Sequence, residues 1–152
     1  MAKVVLTHDY DHPPQDVWKV ATDFASFLEA MKGLVTFEGM PSTGRVEQGQ
    51  VFDVKTRLFG KLPPMDYHME VVECDHDAMR FISSEHGGNI NSWRHKLTVT
   101  ASEGGARLTD TIEIDAGLST PLMVLWAKLV YRRRHPVRVR ILAEGGINAV
   151  EK

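Results

Sequence analysis

The side chains of this sequence best suited to acid–base chemistry are His95 and Asp110, which lie on consecutive predicted strands. In NSWRHKLTVT, residues 91–100, alternation places Trp93 and His95 on the same face as Leu97, so an imidazole points toward the core. An acid diagonal to His95 can fix the imidazole tautomer and leave the other ring nitrogen for a ligand. The alternative is a structural pair in which two buried polar groups satisfy each other. The sequence leaves both interpretations open.

Glu85 and Tyr67 form a second candidate pair, on the two strands that precede His95 in the predicted sheet. Facing a cavity, a carboxyl and a phenol could hydrogen-bond a hydroxyl or carbonyl group of a ligand. The alternative for Glu85 is a position at the strand end, in water. Trp93 and Trp126 would suit flat aromatic or isoprenoid ligands as cavity walls, although tryptophans also simply pack in cores.

Other motifs for chemistry are missing from the sequence. It has no glycine-rich phosphate loop, no metal-ligand spacing and no nucleophile elbow. The seven histidines are dispersed, and the single cysteine, Cys74, cannot form a disulfide within the chain. We therefore expect neither a metal nor a cofactor.

The length and composition of the chain predict an ordinary globular protein. With 152 residues, 43% of them hydrophobic and 25% charged, we expect a single domain over residues 1–152. One cysteine favours a reducing compartment, and MAKVVLTHDY lacks the apolar run of a signal peptide. No stretch approaches the roughly 20 apolar residues that span a bilayer. These features predict a cytoplasmic protein without stable membrane insertion.

Hydrophobic periodicity predicts a strand, two short helices, six further strands and a long C-terminal helix. The first strand, residues 4–10, ends at the turn DHPPQ, and apolar residues then recur at helical spacing as far as Met31. Beyond Gly33 the period changes to two, and turns such as HGGN and SEGG separate the strands. The predicted strands are residues 34–40, 50–59, 65–74, 78–86, 90–101 and 106–115.

Turn lengths assign residues to the two faces of the sheet. If Ser102 pairs with Gly105, His95 lies opposite Ile112 in the last hairpin. A three-residue loop at 87–89 would place Trp93 opposite Ser83, and a three-residue DHD turn would place Met69 opposite Ser83. Even loops would bury Arg94, so we expect odd ones. The inward-facing residues are then Phe52, Val54, Thr56, Leu58, Tyr67, Met69, Val71, Phe81, Ser83, Glu85, Asn91, Trp93, His95, Leu97, Leu108, Asp110, Ile112 and Ile114.

The C-terminal helix is expected to cover this inner face. It begins near LSTPL, where Ser119 or Thr120 can cap the helix and Pro121 suits the first turn. Pro136 should kink or interrupt the helix, because it removes a backbone donor. The residues predicted to face the sheet form an apolar stripe of Leu122, Leu125, Trp126, Leu129 and Val130.

A basic run, YRRRHPVRVR, lies in the same helix, and residues 117–143 contain no acid. Such a run is typical of nucleic-acid or anionic-membrane contacts, and also of a solvated helix face. No helix-turn-helix or aromatic–basic strand motif accompanies it, and the net charge is −2. The apolar stripe is already assigned to the sheet rather than to a membrane. We therefore expect a solvated face and no nucleic-acid partner.

This order of elements resembles the START-like, or SRPBCC, helix-grip superfamily. HPPQDVWKVATDFASFLEAM is similar to its helix pair, SWRHKLTVTASEGGARLTDTIEI to its last hairpin, and LMVLWAKLVYRRRHPVRVRIL to its closing helix. The resemblance implies an α+β fold in which a seven-stranded curved antiparallel sheet wraps around the long C-terminal helix, with two short helices after strand 1. It also implies a cavity between the sheet and that helix.

The expected function is binding of a hydrophobic small molecule, such as a lipid, an isoprenoid or a polyketide-like compound, in that cavity. One alternative is a polyketide cyclase or dehydratase that uses His95, Asp110, Glu85 and Tyr67 to move protons. Another is a module that binds a partner or a membrane surface through the basic helix. The expected ligand-binding residues are Tyr67, Met69, Phe81, Ser83, Glu85, Asn91, Trp93, His95, Asp110, Ile112, Leu122 and Trp126.

Overall fold

A computed structural model describes residues 1–146, so the last six residues of the expected domain lie outside the described part. Seven antiparallel strands form one sheet in the order β1-β7-β6-β5-β4-β3-β2. The α+β helix-grip prediction is confirmed. The elements are β1 (Ala2–Tyr10), α1 (Pro14–Ala21), α2 (Phe24–Met31), β2 (Val35–Glu38), β3 (Val51–Leu58), β4 (Met65–Asp75), β5 (Arg80–Gly87), β6 (Ile90–Ser102), β7 (Gly105–Asp115), a 3₁₀ turn (Gly117–Ser119) and α3 (Thr120–Ala143).

The helices cover one face of the sheet and form two groups of buried side chains with it. One group joins α1 and the end of α3 to the sheet, and contains Val17, Leu97 and Ile141. The other joins α2 and the middle of α3 to the sheet, and contains Met31 and Trp93. Among the residues that the structure describes, no helix combines the length and the hydropathy needed to cross a membrane.

The register predicted for the last hairpin is confirmed. Ser102 pairs with Gly105, His95 lies opposite Ile112, and the same ladder continues to the pair Ser92 and Asp115. This register was predictable because the two-residue turn is local and fixes the alignment of both strands.

The registers predicted for the two preceding hairpins are wrong by two residues. Trp93 lies opposite Glu85 rather than Ser83, and Met69 also lies opposite Glu85. The turn after β5 has two residues instead of the predicted three. A bulge between Glu85 and Gly87 supplies one extra residue, so Phe81, Ser83 and Glu85 still share the inward face with Trp93 and His95. A second irregularity, between Val71 and Glu73, has the same effect on the other side of β5.

Gly87 permits the bulge next to the turn. Its φ is 149°, and a Cβ at this position would collide with the carbonyl oxygen of Asp66 and the Cα of Tyr67. Only glycine allows the two backbones to approach so closely. With the bulge, the residues opposite β5 differ by two positions from the predicted ones. A shift of two positions leaves each side chain on the same face of the sheet.

The apolar stripe predicted for the closing helix is wrong at its three leucines. Leu122 is 63% exposed, Leu125 65% and Leu129 51%, so none of them faces the sheet. The helix docks with a neighbouring face, and its buried residues are Ala127, Val130, Tyr131, Arg134, Arg138, Ile141 and Leu142. Helical spacing of three and four residues relates these positions.

Pro136 does not interrupt the helix, which runs continuously from Thr120 to Ala143. Pro136 is exposed, so water can reach the backbone carbonyl that its missing N–H leaves without a donor. The prediction of an interruption was therefore wrong. Continuity places the residues beyond Pro136, including Arg138, on the same buried face as Tyr131 and Arg134.

Candidate functional site

A cavity of about 200 Å³ lies between the sheet, α2 and α3. Its walls are mainly apolar and include Phe27 and Met31 from α2 and Val130 from α3. The exposed Gly88 and Asn89, at the turn between β5 and β6, also line it, so the cavity meets solvent at this end. The space between the sheet and the two helices forms the cavity.

Eight of the twelve residues predicted to bind a ligand line this cavity. They alternate along β4, β5 and β6, because the inward faces of these strands were assigned correctly. Trp126 reaches the cavity from the closing helix and packs edge-on against Phe59, with ring centroids 6.0 Å apart. The eight residues are Tyr67, Met69, Phe81, Ser83, Glu85, Trp93, His95 and Trp126.

The other four lie elsewhere. Leu122 is on the exposed side of α3, because that helix docks through a different face. Asn91 is exposed at the start of β6, and its Nδ2 lies 3.5 Å from Oδ1 of Asp115. Ile112 is fully buried and belongs to the packed core, and Asp110 lies behind His95 with no exposed surface.

The predicted contact between His95 and Asp110 is present. Nε2 of His95 lies 2.7 Å from Oδ1 of Asp110, and both side chains are buried. Burial acts to raise the pKa of Asp110, but the hydrogen bond and charge of His95, with the charges of Arg138 and Arg134, hold it below its ordinary value. An ionised Asp110 accepts from Nε2, so Nδ1 of His95 is the nitrogen that remains for a ligand.

Tyr67, Glu85 and Ser83 form a hydrogen-bonded group in the cavity wall. The Tyr67 hydroxyl donates to Oε1 of Glu85 over 3.0 Å, and the Ser83 hydroxyl donates to Oε2 over 2.7 Å. Burial, together with the negative charge of Glu85, raises the pKa of Tyr67 well above its ordinary value of 10.0. Tyr67 therefore keeps its proton at neutral pH and acts as a donor. The half-buried Glu85 does not extend freely into water.

Two arginines of the cavity wall were missed by the sequence analysis. The basic run was predicted to be solvated, which holds for Arg132 and Arg133 but not for Arg134 or Arg138, which are 9% and 5% exposed. Both line the cavity. Their spacing of four residues, and of three and seven residues from Tyr131, is the sequence signal that could have placed them on one helix face.

Aromatic rings surround the first of these arginines. The guanidinium carbon of Arg134 lies 4.2 Å from the ring centroid of Tyr131 and 5.1 Å from that of Phe27, within the range of cation–π attraction. Tyr131 is itself held by Trp93, whose Nε1 donates to its hydroxyl over 3.4 Å. The position of the Arg134 guanidinium is therefore fixed by packing.

Within residues 1–146, no three His, Cys, Asp or Glu side chains are arranged to hold a metal ion.

The profile of one protein family matches the sequence over residues 1–135, and that family is described as polyketide cyclase/dehydrase and lipid transport. No curated protein sequence matches the chain.

Solved structures with the same fold are similar to this one at low sequence identity. The crystal structure of Ara h 8.0201 has a TM-score of 0.70 at 12% identity, covering 93% of this chain and 98% of its own. TTHA0849 from Thermus thermophilus has a TM-score of 0.67 at 14% identity, covering 95% of this chain and 100% of its own. DynU16, from the dynemicin biosynthetic locus, has a TM-score of 0.61 at 17% identity, covering 95% of this chain but 48% of its own. Identities this low show the fold alone.

Proposed function

Because this chain belongs to the polyketide cyclase/dehydrase and lipid-transport family, we propose that it binds a hydrophobic small molecule of the lipid, isoprenoid or polyketide-like class in the cavity. The observation that carries the proposal is the cavity itself, with mainly apolar walls and a few polar groups among them. Sites for small molecules commonly combine these two features.

The two kinds of wall have different roles in the proposal. The apolar side chains of α2 and α3 would cover the hydrocarbon part of the ligand. Removing apolar surface from water contributes roughly 25 cal/mol of binding free energy per Å². Tyr67, Glu85 and His95 supply the polar contacts that would orient the ligand. A volume of about 200 Å³ is below the range of about 300–1,000 Å³ typical of drug-sized ligands, which favours a small guest.

Filling the cavity is expected to weaken binding strongly. We expect 2-naphthamide, a small neutral aromatic probe, to bind the wild-type protein with 1:1 stoichiometry in isothermal titration calorimetry. Ser83→Leu projects a larger side chain into the cavity and should weaken this binding by about tenfold or more, because it occupies the space of the probe. Ser84→Leu, on the exposed side of the same strand, is the matched control and should bind as the wild type does.

Native mass spectrometry of the protein purified from its own host complements the titration, because it detects any small molecule that the cavity retains. A protein that carries no small molecule and binds neither 2-naphthamide nor its carboxylic acid analogue would contradict the proposal. Equal binding by the two leucine variants would place the bound probe outside the cavity.

A cyclase or dehydratase activity is a second candidate, favoured by the 2.7 Å contact between His95 and Asp110 at the cavity wall. His95, oriented by Asp110, would take a proton through Nδ1 from an acidic carbon of a polyketide-like substrate. The Tyr67 hydroxyl, which keeps its proton, would exchange its hydrogen bond to Glu85 for one to the neighbouring carbonyl.

This second candidate predicts a large effect of His95→Gln on turnover of a linear poly-β-keto thioester. Glutamine cannot exchange a proton, so the rate should fall by about 10²–10⁴, the usual contribution of a general base. His86→Gln, an exposed histidine of β5, is the control and should leave the rate unchanged. A wild-type protein that binds the thioester without converting it would rule out this candidate and leave the binding function intact.

A further inference from the structure

We propose that the ligand carries a carboxylate or comparable anionic oxygen group, and that Arg134 and Arg138 bind this group. The inference rests on the proposed binding function and adds the chemical class of the ligand. It starts from two cationic side chains in the wall of a mainly apolar cavity.

The two guanidinium groups are removed from water. Arg134 is 9% exposed and Arg138 5%, and burial of an ionised group is costly unless a counter-charge and hydrogen bonds compensate it. Arginine stays protonated in proteins, so neither group can escape this cost by losing its charge.

The partners that compensate this burial are poor. Nη2 of Arg134 lies 3.6 Å from the thioether sulfur of Met31, a weak acceptor, and its Nε has no hydrogen-bond partner. Nη1 of Arg138 is likewise buried without a partner. In the described part of the chain, no carboxylate lies within 4.0 Å of either guanidinium group.

Two exposed arginines of the same helix are better satisfied. Arg140 forms an ion pair of 3.0 Å with Glu29, and Arg133 donates to the carbonyl oxygen of Lys32 over 2.9 Å. The contrast is the reverse of the usual pattern, in which buried charges are the paired ones. The two buried arginines of this helix, which lack a strong partner, both line the cavity.

Glu85, in the cavity wall, and Asp110, behind His95, accept hydrogen bonds from groups other than the two arginines. Both oxygens of Glu85 accept hydrogen bonds, from Tyr67 and Ser83, and one oxygen of Asp110 accepts from His95. Asp110 lies within electrostatic range of the arginines and lowers the cost of burying them, without forming an ion pair with either. A ligand can supply the missing acceptor.

A carboxylate fits these donors because it can accept two parallel N–H bonds from one guanidinium group. The rings of Tyr131 and Phe27 hold Arg134 in place, so little side-chain entropy is lost when the anion binds. The hydrocarbon part of the same ligand would occupy the apolar walls. The fit describes a small amphipathic acid.

The test compares 2-naphthoate with its neutral amide, 2-naphthamide, by calorimetry at neutral pH. Wild-type protein should bind the acid about tenfold more tightly or better, as expected for a buried hydrogen bond to a charged group. Arg134→Met should lower the ratio of acid affinity to amide affinity to about one, whatever its effect on the amide itself. Arg134→Lys should keep part of the preference for the acid, and Arg132→Met, an exposed change on the same helix, should keep all of it.

Equal affinity of wild-type protein for the acid and the amide would overturn the inference while leaving the proposed binding function intact. An acid preference that survives Arg134→Met and Arg138→Met alike would also overturn it. Binding of neither probe, with no retained small molecule, would instead contradict the proposed function. The wild-type comparison decides the question even if an arginine variant does not fold.

Discussion

Asp110→Ala is expected to lower the free energy of unfolding by about 3–5 kcal/mol, the cost typical of removing a buried counter-charge. Asp110 is fully buried in β7, and His95 lies 2.7 Å away. Its charge also acts on Arg138 and Arg134. Alanine would leave three buried nitrogen-bearing side chains without their nearest negative charge. Urea unfolding followed by circular dichroism measures the loss.

Glu113→Ala, on the other face of β7, is the matched control and should change stability by no more than about 0.5 kcal/mol. In a double-mutant cycle with His95→Phe, the two substitutions at the buried pair should be strongly non-additive. A cost of Asp110→Ala below about 1 kcal/mol would mean that the buried pair contributes little to the fold.

Acid unfolding gives a second measurement of the same effect. The pKa of Asp110 is lower in the folded protein than its ordinary value of 3.8. Its contribution to stability is therefore fully present above pH 3.8, and is lost as the pH falls through the folded-state pKa. In Asp110→Asn this part of the acid dependence should be missing. If the stability of the wild type and of Asp110→Asn fell identically as the pH is lowered, the proposed contribution of Asp110 would be contradicted.

Trp93→Ala is expected to cost about 3–5 kcal/mol and to weaken binding of 2-naphthamide, because removal of a buried aromatic side chain leaves a void that the surroundings fill only in part. Trp93 is buried in β6, its ring lies 6.4 Å from that of Tyr131, and its indole donates to the Tyr131 hydroxyl. The same void also removes one wall of the cavity. Urea unfolding and calorimetry measure the two effects.

Trp126→Ala provides the comparison, because Trp126 also lines the cavity but is only half-buried at the surface of α3. Its stability cost should be smaller, since less apolar surface returns to water. A wild-type affinity for 2-naphthamide in Trp93→Ala would show that the indole is not a wall of the binding site. Equal stability costs for the two tryptophans would contradict the difference in burial.

Turn chemistry and alternation were sufficient to predict the inward face of the sheet. The turn at Glu103 and Gly104 is local, so the alignment of His95 and Asp110 followed from counting residues. The bulge at Gly87 could not be predicted in this way. A two-residue turn with a bulge and a three-residue loop place the same side chains on the inward face, so the alternation in the sequence does not distinguish them. The predicted faces were therefore correct except at Asn91, while the partners of Glu85 were displaced by two residues.

The sequence by itself determined the order of elements and the inward face of most strands, because these depend on local periodicity and on the parity of turns, and the fold was implied by its resemblance to a known superfamily. Only the tertiary structure decided which face of the closing helix is buried. Apolar residues lie on more than one face of α3, so Leu125 and Val130 were equally eligible for the core. Packing against β1 and α2 selected the face that carries Arg134 and Arg138. Burial of a charged side chain is costly unless the tertiary structure supplies a compensating interaction, such as an aromatic ring, a counter-charge or a bound ligand. These groups come from distant parts of the chain, so local sequence does not predict them.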